Sequence, residues 1–429
     1  MFEQNLFDGE PDFEHGEIPA VGILLAILGT PEAPTEEALR PYLRQFLSDR
    51  RVIEIWPPAW KLILEAFILP SRPAKSAEAY ASMWAEDGSP LLLISKEQQA
   101  GLARRLGERL GTPIHFALGS TYGEPSMAAG LEALRDKGCR RILFVSMFPQ
   151  YSSTSTGAAF DAGMRALMRW RWLPELRTLT RWHDKPGYID ALANSVRELW
   201  DAEGEPEKLV MSFHGVPQRY LEDGDPYHCQ CLKTGRLLAE RLGLPRDRWV
   251  VCFQSLFGRE EWIKPYTDET LKAMAKAGIK KVDVICPGFS ADCLETLEEI
   301  EEENREYFLH GGGEQFRYIP ALNARDDHLD FLADLIEQNL GEWVADRDGY
   351  DVAGATREAA VSKQQADALL ACPAHADGGY GALAAKQAAE QAEHQKAKGS
   401  AGRVAVLVGL IVAGLIALVV GARDDRDQE

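Results

Sequence analysis

Four continuous apolar runs mark the chain: "VGILLAILGT" at 21–30, "RRILFVSMFP" at 140–149, "EKLVMSFHGVP" at 207–217 and "KKVDVICPGFS" at 280–290. They do not alternate apolar with polar residues, so each reads as a strand covered on both faces, the habit of a parallel sheet. Gly and Pro close each run and force a loop. Between the runs lie patterns of helical period: "EQQAGLARRLGERLG", "MAAGLEALRDKG", "DALANSVRELWDAEG" and "DETLKAMAKAG". Strands alternating with helices predict an α/β fold with parallel sheets. The alternation runs through twice, predicting two doubly wound domains, at 20–165 and 166–326. Neither a GxGxxG nor a GxxxxGK[ST] pattern follows any strand, so the dinucleotide and P-loop fingerprints are excluded.

The amphipathic stretch "DHLDFLADLIEQNLGEW" predicts a helix at 327–343 that closes the globular part. Residues 344–402 are rich in Ala, Gln, Lys and Asp and read as a semi-rigid linker. The segment 403–422 contains an uncharged run, "VAVLVGLIVAGLIALVVGA", long enough to cross a bilayer and bracketed by Arg403 and Arg423. It predicts a C-terminal transmembrane helix. Gly409, Ala413, Ala417 and Gly421 recur every fourth residue along it, a spacing that would let two such helices pair as a homodimer. The acidic N-terminal tail, 1–19, has no apolar core and is not a signal peptide. The large domain is therefore expected in the cytoplasm, anchored to the inner membrane.

Charge and cysteine content narrow the partners. The 429 residues carry a net charge of −19, which argues against nucleic acid, since phosphate binding needs clustered Lys and Arg. Seven scattered cysteines make no secreted disulfide framework and point to a reducing compartment. In "HCQC", 228–231, the Cys229-x-Cys231 spacing is not that of a zinc site and has no second pair, so structural cysteines are the better reading.

Candidate chemistry gathers at the strand ends. His214, in "MSFHGVP", stands just past an apolar strand and before an enforced turn, at the carboxyl edge where open α/β sheets bind ligands. An imidazole there can accept a proton near neutral pH. In "ICPGFSADCLE" another strand ends and a helix begins, with Asp292 a plausible cap. Glu295, Glu299, Glu302 and Glu306 then fall on one stripe, with Leu297, Ile300, Asn304 and Phe308 opposite. Spacing alone describes a solvated face; placement at the sheet edge singles out Glu295 and Glu299. "FQSLFGREEWIKPYTDET", 253–270, reads as a loop carrying Gln254 and Trp262, and "FPQYSSTSTG", 148–157, as a Ser/Thr-rich loop.

Taken in order, "LGTPEAPT", "RPYLRQFLSD", "FPQYSSTSTG", "SFHGVPQRYLEDGDPY", "FQSLFGREEW", "PYTDETL" and "CPGFSADCLETLEEI" resemble the ferrochelatases, lyases that insert ferrous iron into protoporphyrin IX at the end of haem synthesis. The resemblance covers about 20–342. It implies two similar Rossmann-like domains with a porphyrin cleft between them. His214 matches the active-site histidine, Glu295 the catalytic carboxylate and Glu299 the next acidic position, the three together handling protons and metal. Gln254 and Trp262 match cleft-lining positions. Arg72 and Ser89 resemble groups near the porphyrin propionates, Tyr80 a nearby aromatic, and Leu28 a side chain under the ring. No cofactor is implied beyond ferrous iron as substrate. Animal members hold an iron–sulfur cluster with cysteines; here Ser153 takes the loop position and only Cys372 follows the domain, so no such cluster is expected. The family's histidine two residues before the catalytic Glu is Cys293 here. Two alternatives stay open: a related chelatase for coproporphyrin or cobalt, and a membrane-tethered porphyrin or haem carrier without catalysis.

Overall fold

The four apolar runs become the inner strands of two sheets in the computed structural model. In the first sheet β1 (Ala20–Ile27), β2 (Ile114–Ser120), β3 (Cys139–Ser146) and β4 (Glu175–Leu179) lie in the order β2-β1-β3-β4. In the second, β5 (Lys208–His214), β6 (Trp249–Gln254), β7 (Lys281–Ile285) and β8 (Gln315–Ile319) lie in the order β6-β5-β7-β8. Every pairing is parallel and the two orders match strand for strand. All eight residues of β1 are buried, which is why its sequence shows no polar alternation. The structure describes residues 6–10, 19–110, 114–258 and 260–344, with scattered helical positions between 357 and 368.

The helices that the sequence predicts within the globular part are present: Pro90–Arg109, Met127–Arg135, Pro186–Glu203, Thr267–Lys276 and Asp326–Leu340. The predicted boundary at 165/166 falls inside a helix, Ala158–Leu167, and β4 beyond it still pairs with β3. The halves also exchange packing. The helix Asp326–Leu340 follows the last strand of the second sheet yet packs against Pro90–Arg109 of the first half. Arg105 bridges to Asp326 and Asp330, and Arg109 to Asp334. One apolar core accordingly runs through both halves, from Ile23 and Leu25 through Val145 to Met211, Phe213 and Ile336. The described residues within 6–10 and 19–344 belong to a single compact unit. Part of the acidic tail is tied down: Asp8 pairs with Trp170, and Glu10 accepts from both terminal nitrogens of Arg140.

The first half carries an added helical wall, Glu36–Leu47, Pro57–Ile63 and Arg72–Met83. Thr35 caps the first of these, its hydroxyl accepting from the Ala38 N–H, with Glu36 and Glu37 at the positive end of the helix dipole. The wall has its own apolar cluster, including Leu39, Tyr42, Leu43, Leu64 and Tyr80. Leu28, from the end of β1, and Leu294, from the second half, pack on it. Among the described residues no helix is long and apolar enough to cross a membrane. The predicted span at 403–422, Cys372 and nearly all of the predicted linker lie outside the described residues.

Candidate active site

In a sheet of order β6-β5-β7-β8 the strand order reverses between β5 and β7, and ligands of open α/β sheets bind outside the strand ends at such a point. His214 is the last residue of β5 and is half-buried there. Its Nδ1 lies 2.6 Å from the Gly215 carbonyl oxygen. A carbonyl only accepts, so Nδ1 carries the proton of that bond and Nε2 keeps its basic lone pair. Gly215 is demanded by close approach: a Cβ would sit 2.8 Å from the Gln254 carbonyl oxygen and 3.0 Å from the Trp262 ring. The rings of His214 and Trp262 are 6.5 Å apart, and the Trp262 indole donates to the Phe257 carbonyl at 2.9 Å.

Gln254 ends β6 in register with His214, so it belongs to a strand and not to the predicted loop. It is 3% exposed. Its amide oxygen accepts from the Ser212 hydroxyl at 2.6 Å, and its amide nitrogen donates to the Glu295 carbonyl at 2.6 Å. The same nitrogen stands 3.4 Å from a carboxylate oxygen of Glu299. The side chain thus joins two strand ends to the acidic helix from beneath.

That helix departs from the predicted α-helical stripe. Leu294–Thr296 makes one short turn, and Leu297–Asn304 is a π-helix, a wider coil that turns through less than 100° per residue. The wider winding carries Glu302 and Glu306 into solvent and keeps Glu295, Glu298 and Glu299 half-buried. Ile300, Asn304 and Phe308 are buried as the pattern predicts, while Leu297 is only half-buried. The Asn304 amide donates to the Glu299 carbonyl at 2.7 Å, satisfying a group displaced by the wide turn.

Asp292 is not the predicted cap; Cys293 holds that place. Asp292 is a buried hub accepting from the Tyr318 hydroxyl at 2.6 Å, the Asn323 amide at 2.7 Å and the Thr296 hydroxyl at 3.0 Å. It ties the turn before Glu295 to the segment after β8.

The carboxylate of Glu299 accepts from the Ser255 N–H at 2.6 Å and, through its other oxygen, from the Ser255 hydroxyl. Burial pushes its proton affinity up; the Ser255 hydroxyl and nearby His214 pull it down, and Glu295 pushes it up again. Burial likewise raises Glu298, helped by the negative charge of Glu303, Glu302 and Glu295. The Tyr42 and Tyr80 hydroxyls feel the charge of Glu295, after burial the main cause of the rise at Tyr42. Tyr42 also donates to the Gly29 carbonyl at 3.2 Å. Gly29 has φ +93°, and a Cβ there would strike the Tyr122 carbonyl, so the turn after β1 admits only glycine.

The remaining predicted residues fall around this core. Leu28 and Tyr80 lie on the helical wall. Ser89 is buried and accepts from the Thr30 hydroxyl at 2.9 Å. Arg72 is exposed, its guanidinium carbon 5.5 Å from the Phe257 ring centre. Cys229 is exposed and Cys231 fully buried on one helix, Tyr227–Leu242, so their side chains do not meet. Among the described residues no three His, Cys, Asp or Glu are gathered closely enough to hold a metal ion. Ser255, Tyr42 and Ser212 escaped the sequence reading; a left-handed turn after β6 and partners distant in sequence leave no local signal.

Residues 20–340 match the family model described as ferrochelatase. The ferrochelatase of Thioalkalivibrio sulfidiphilus is 54% identical over 363 residues, covering 85% of this chain and 98% of that one. That of Hydrogenovibrio crunogenus is 53% identical over 83% of this chain and 95% of its own, and that of Nitrosococcus oceani 52% identical over 79% and 91%.

Proposed function

The chain belongs to the ferrochelatase family, and on that footing we propose how its residues divide the work of metallation. The activity itself is that of a metal chelatase inserting iron into porphyrin for haem synthesis, the function of relatives more than half identical over most of the chain. Our reading is that the ring is protoporphyrin IX and the ion ferrous. Metallation removes two pyrrole protons and passes a dehydrated cation to the ring nitrogens. His214 Nε2 accepts a proton, and Glu295 and Glu299 guide the cation and share in proton removal.

The observation that carries this reading is the convergence of His214, Glu295 and Glu299 at one strand edge, with Gln254 joining the elements that bear them. Two carboxylates beside an imidazole attract a divalent cation. A substrate ion must leave again, so a closed ligand cage would oppose turnover. Leu28 and Tyr80 then form one wall of the porphyrin site and Trp262 the other. Gln254 holds the floor, and Arg72 and Ser89 serve the propionate end. Contacts remote from the nitrogens support the ring distortion that exposes their lone pairs. The enzyme uses no iron–sulfur cluster. Residues 403–422 anchor a cytoplasmic catalytic unit to the inner membrane and pair two copies.

Anaerobic incubation of the purified protein with ferrous iron and protoporphyrin, followed by absorption, tests the reading. Conversion to the protohaem spectrum is expected. Preferred metallation of coproporphyrin, or faster insertion of cobalt, would reassign the substrate. Porphyrin binding without spectral conversion would make the protein a carrier.

A further inference from the structure

Ser255 is the residue immediately after β6, and its φ is +67° in a chain where Asn323 is the other described non-glycine residue above zero. Such a conformation is disfavoured for a side chain and persists where its surroundings hold it. Here it turns the backbone N–H away from the strand ladder and onto one oxygen of Glu299, at 2.6 Å. The hydroxyl of the same residue grips the other oxygen. Two donors from one residue fix both the position and the rotation of a carboxylate. Behind them stands Gln254, at 3.4 Å. Ahead, Leu256 and Phe257 are exposed, so the turn lies at the rim of the site.

We infer that Ser255 is a positioning residue for iron handling: its N–H and hydroxyl clamp the Glu299 carboxylate in the orientation that meets the incoming cation. The inference rests on the reading that Glu299 handles iron. It explains why the sheet edge keeps a serine in a backbone state suited to glycine: glycine would relieve the turn and give up one of the two donors. The acidic helix alone does not fix Glu299, because a long side chain on a wide π-turn has several rotamers open to it.

The test is a double-mutant cycle in the full chain: S255A, S255G, E299Q and S255A/E299Q. The Michaelis constants for ferrous iron and for protoporphyrin are measured separately, with thermal melts as a control on folding. S255A is expected to raise KM for iron about tenfold, the effect of one lost hydrogen bond to a charged group, while KM for porphyrin stays within about twofold. S255G keeps the N–H and suits the turn, so it folds at least as well and shows the same split. In the E299Q background S255A should add nothing. An equal S255A penalty in both backgrounds, or a parallel rise in both Michaelis constants, overturns the clamp. A wild-type KM for iron in E299Q overturns the prior reading of Glu299 instead, and the clamp's role in iron handling with it.

Discussion

His214 and Gln254 are register partners, the last residues of two neighbouring parallel strands. One is half-buried with a ring nitrogen free to accept a proton, and the other is buried with its amide spent on Ser212 and Glu295. The sheet thereby offers a base at its surface and, one strand over, a hydrogen-bonded support that ties the acidic helix to the same edge. Strand pairing fixes the two backbones beside each other to within a hydrogen-bond length, a precision that a loop does not give.

His214→Ala should abolish metallation while leaving the fold intact. Loss of a general base typically lowers rates by about 10² to 10⁴. Anaerobic turnover and a thermal melt on the same preparation check it; near-normal turnover would remove His214 from the mechanism.

Glu295→Gln should be nearly inactive, because the isostere keeps the shape and loses the charge. Glu302→Gln, on the exposed continuation of the helix, should stay within about twofold of wild type, as surface changes usually do. Equal losses in the two variants would mean that the whole acidic face conducts metal or protons.

Gln254→Leu removes the donor to the Glu295 carbonyl and the acceptor of the Ser212 hydroxyl, leaving both groups in a buried site. About 1–3 kcal/mol of stability should be lost, read by urea unfolding, together with much of the activity. Full activity at unchanged stability would mean that the helix is held without this amide.

Two buried histidines that are not among the candidate site residues predict acid sensitivity. Burial pushes His183 and His328 down to about 4, more than Asp184 and Asp327 beside them can offset. The unfolded chain therefore binds protons first: stability is whole above about pH 6.5 and falls as pH drops toward 4. By pH 5 each histidine should have cost about 2 kcal/mol. Melting temperatures in a pH series, with His328→Gln flattening the slope, measure this; an unchanged slope would exclude His328.

Deleting 403–429 should release an active, soluble enzyme, since the site residues lie upstream. Membrane flotation of full-length and truncated protein, with activity in each fraction, is the measurement. A truncated chain that still floats would refute the anchor.

The sequence by itself determined the inner frame. β1, β3, β5 and β7 were legible because strands covered on both faces must be apolar throughout, and His214 was legible because Gly215 and Pro217 end its strand. Two of the outer strands were not: "ELRTL" in β4 and "QFRYI" in β8 mix charge into their runs, since they are only partly buried. Nor could local pattern show that the last helix closes on the first half, or that β4 lies past the predicted boundary, because those are contacts between segments distant in the chain. At the site, the carboxylates were visible as residues, but their division was not. A π-helix sends Glu302 to solvent, a left-handed Ser255 grips Glu299, and Asp292 becomes a hub for Tyr318 and Asn323. Periodicity assumes a regular helix, and only the packed fold decides where regularity gives way, because there the partners that stabilise the irregular turn come from other parts of the chain.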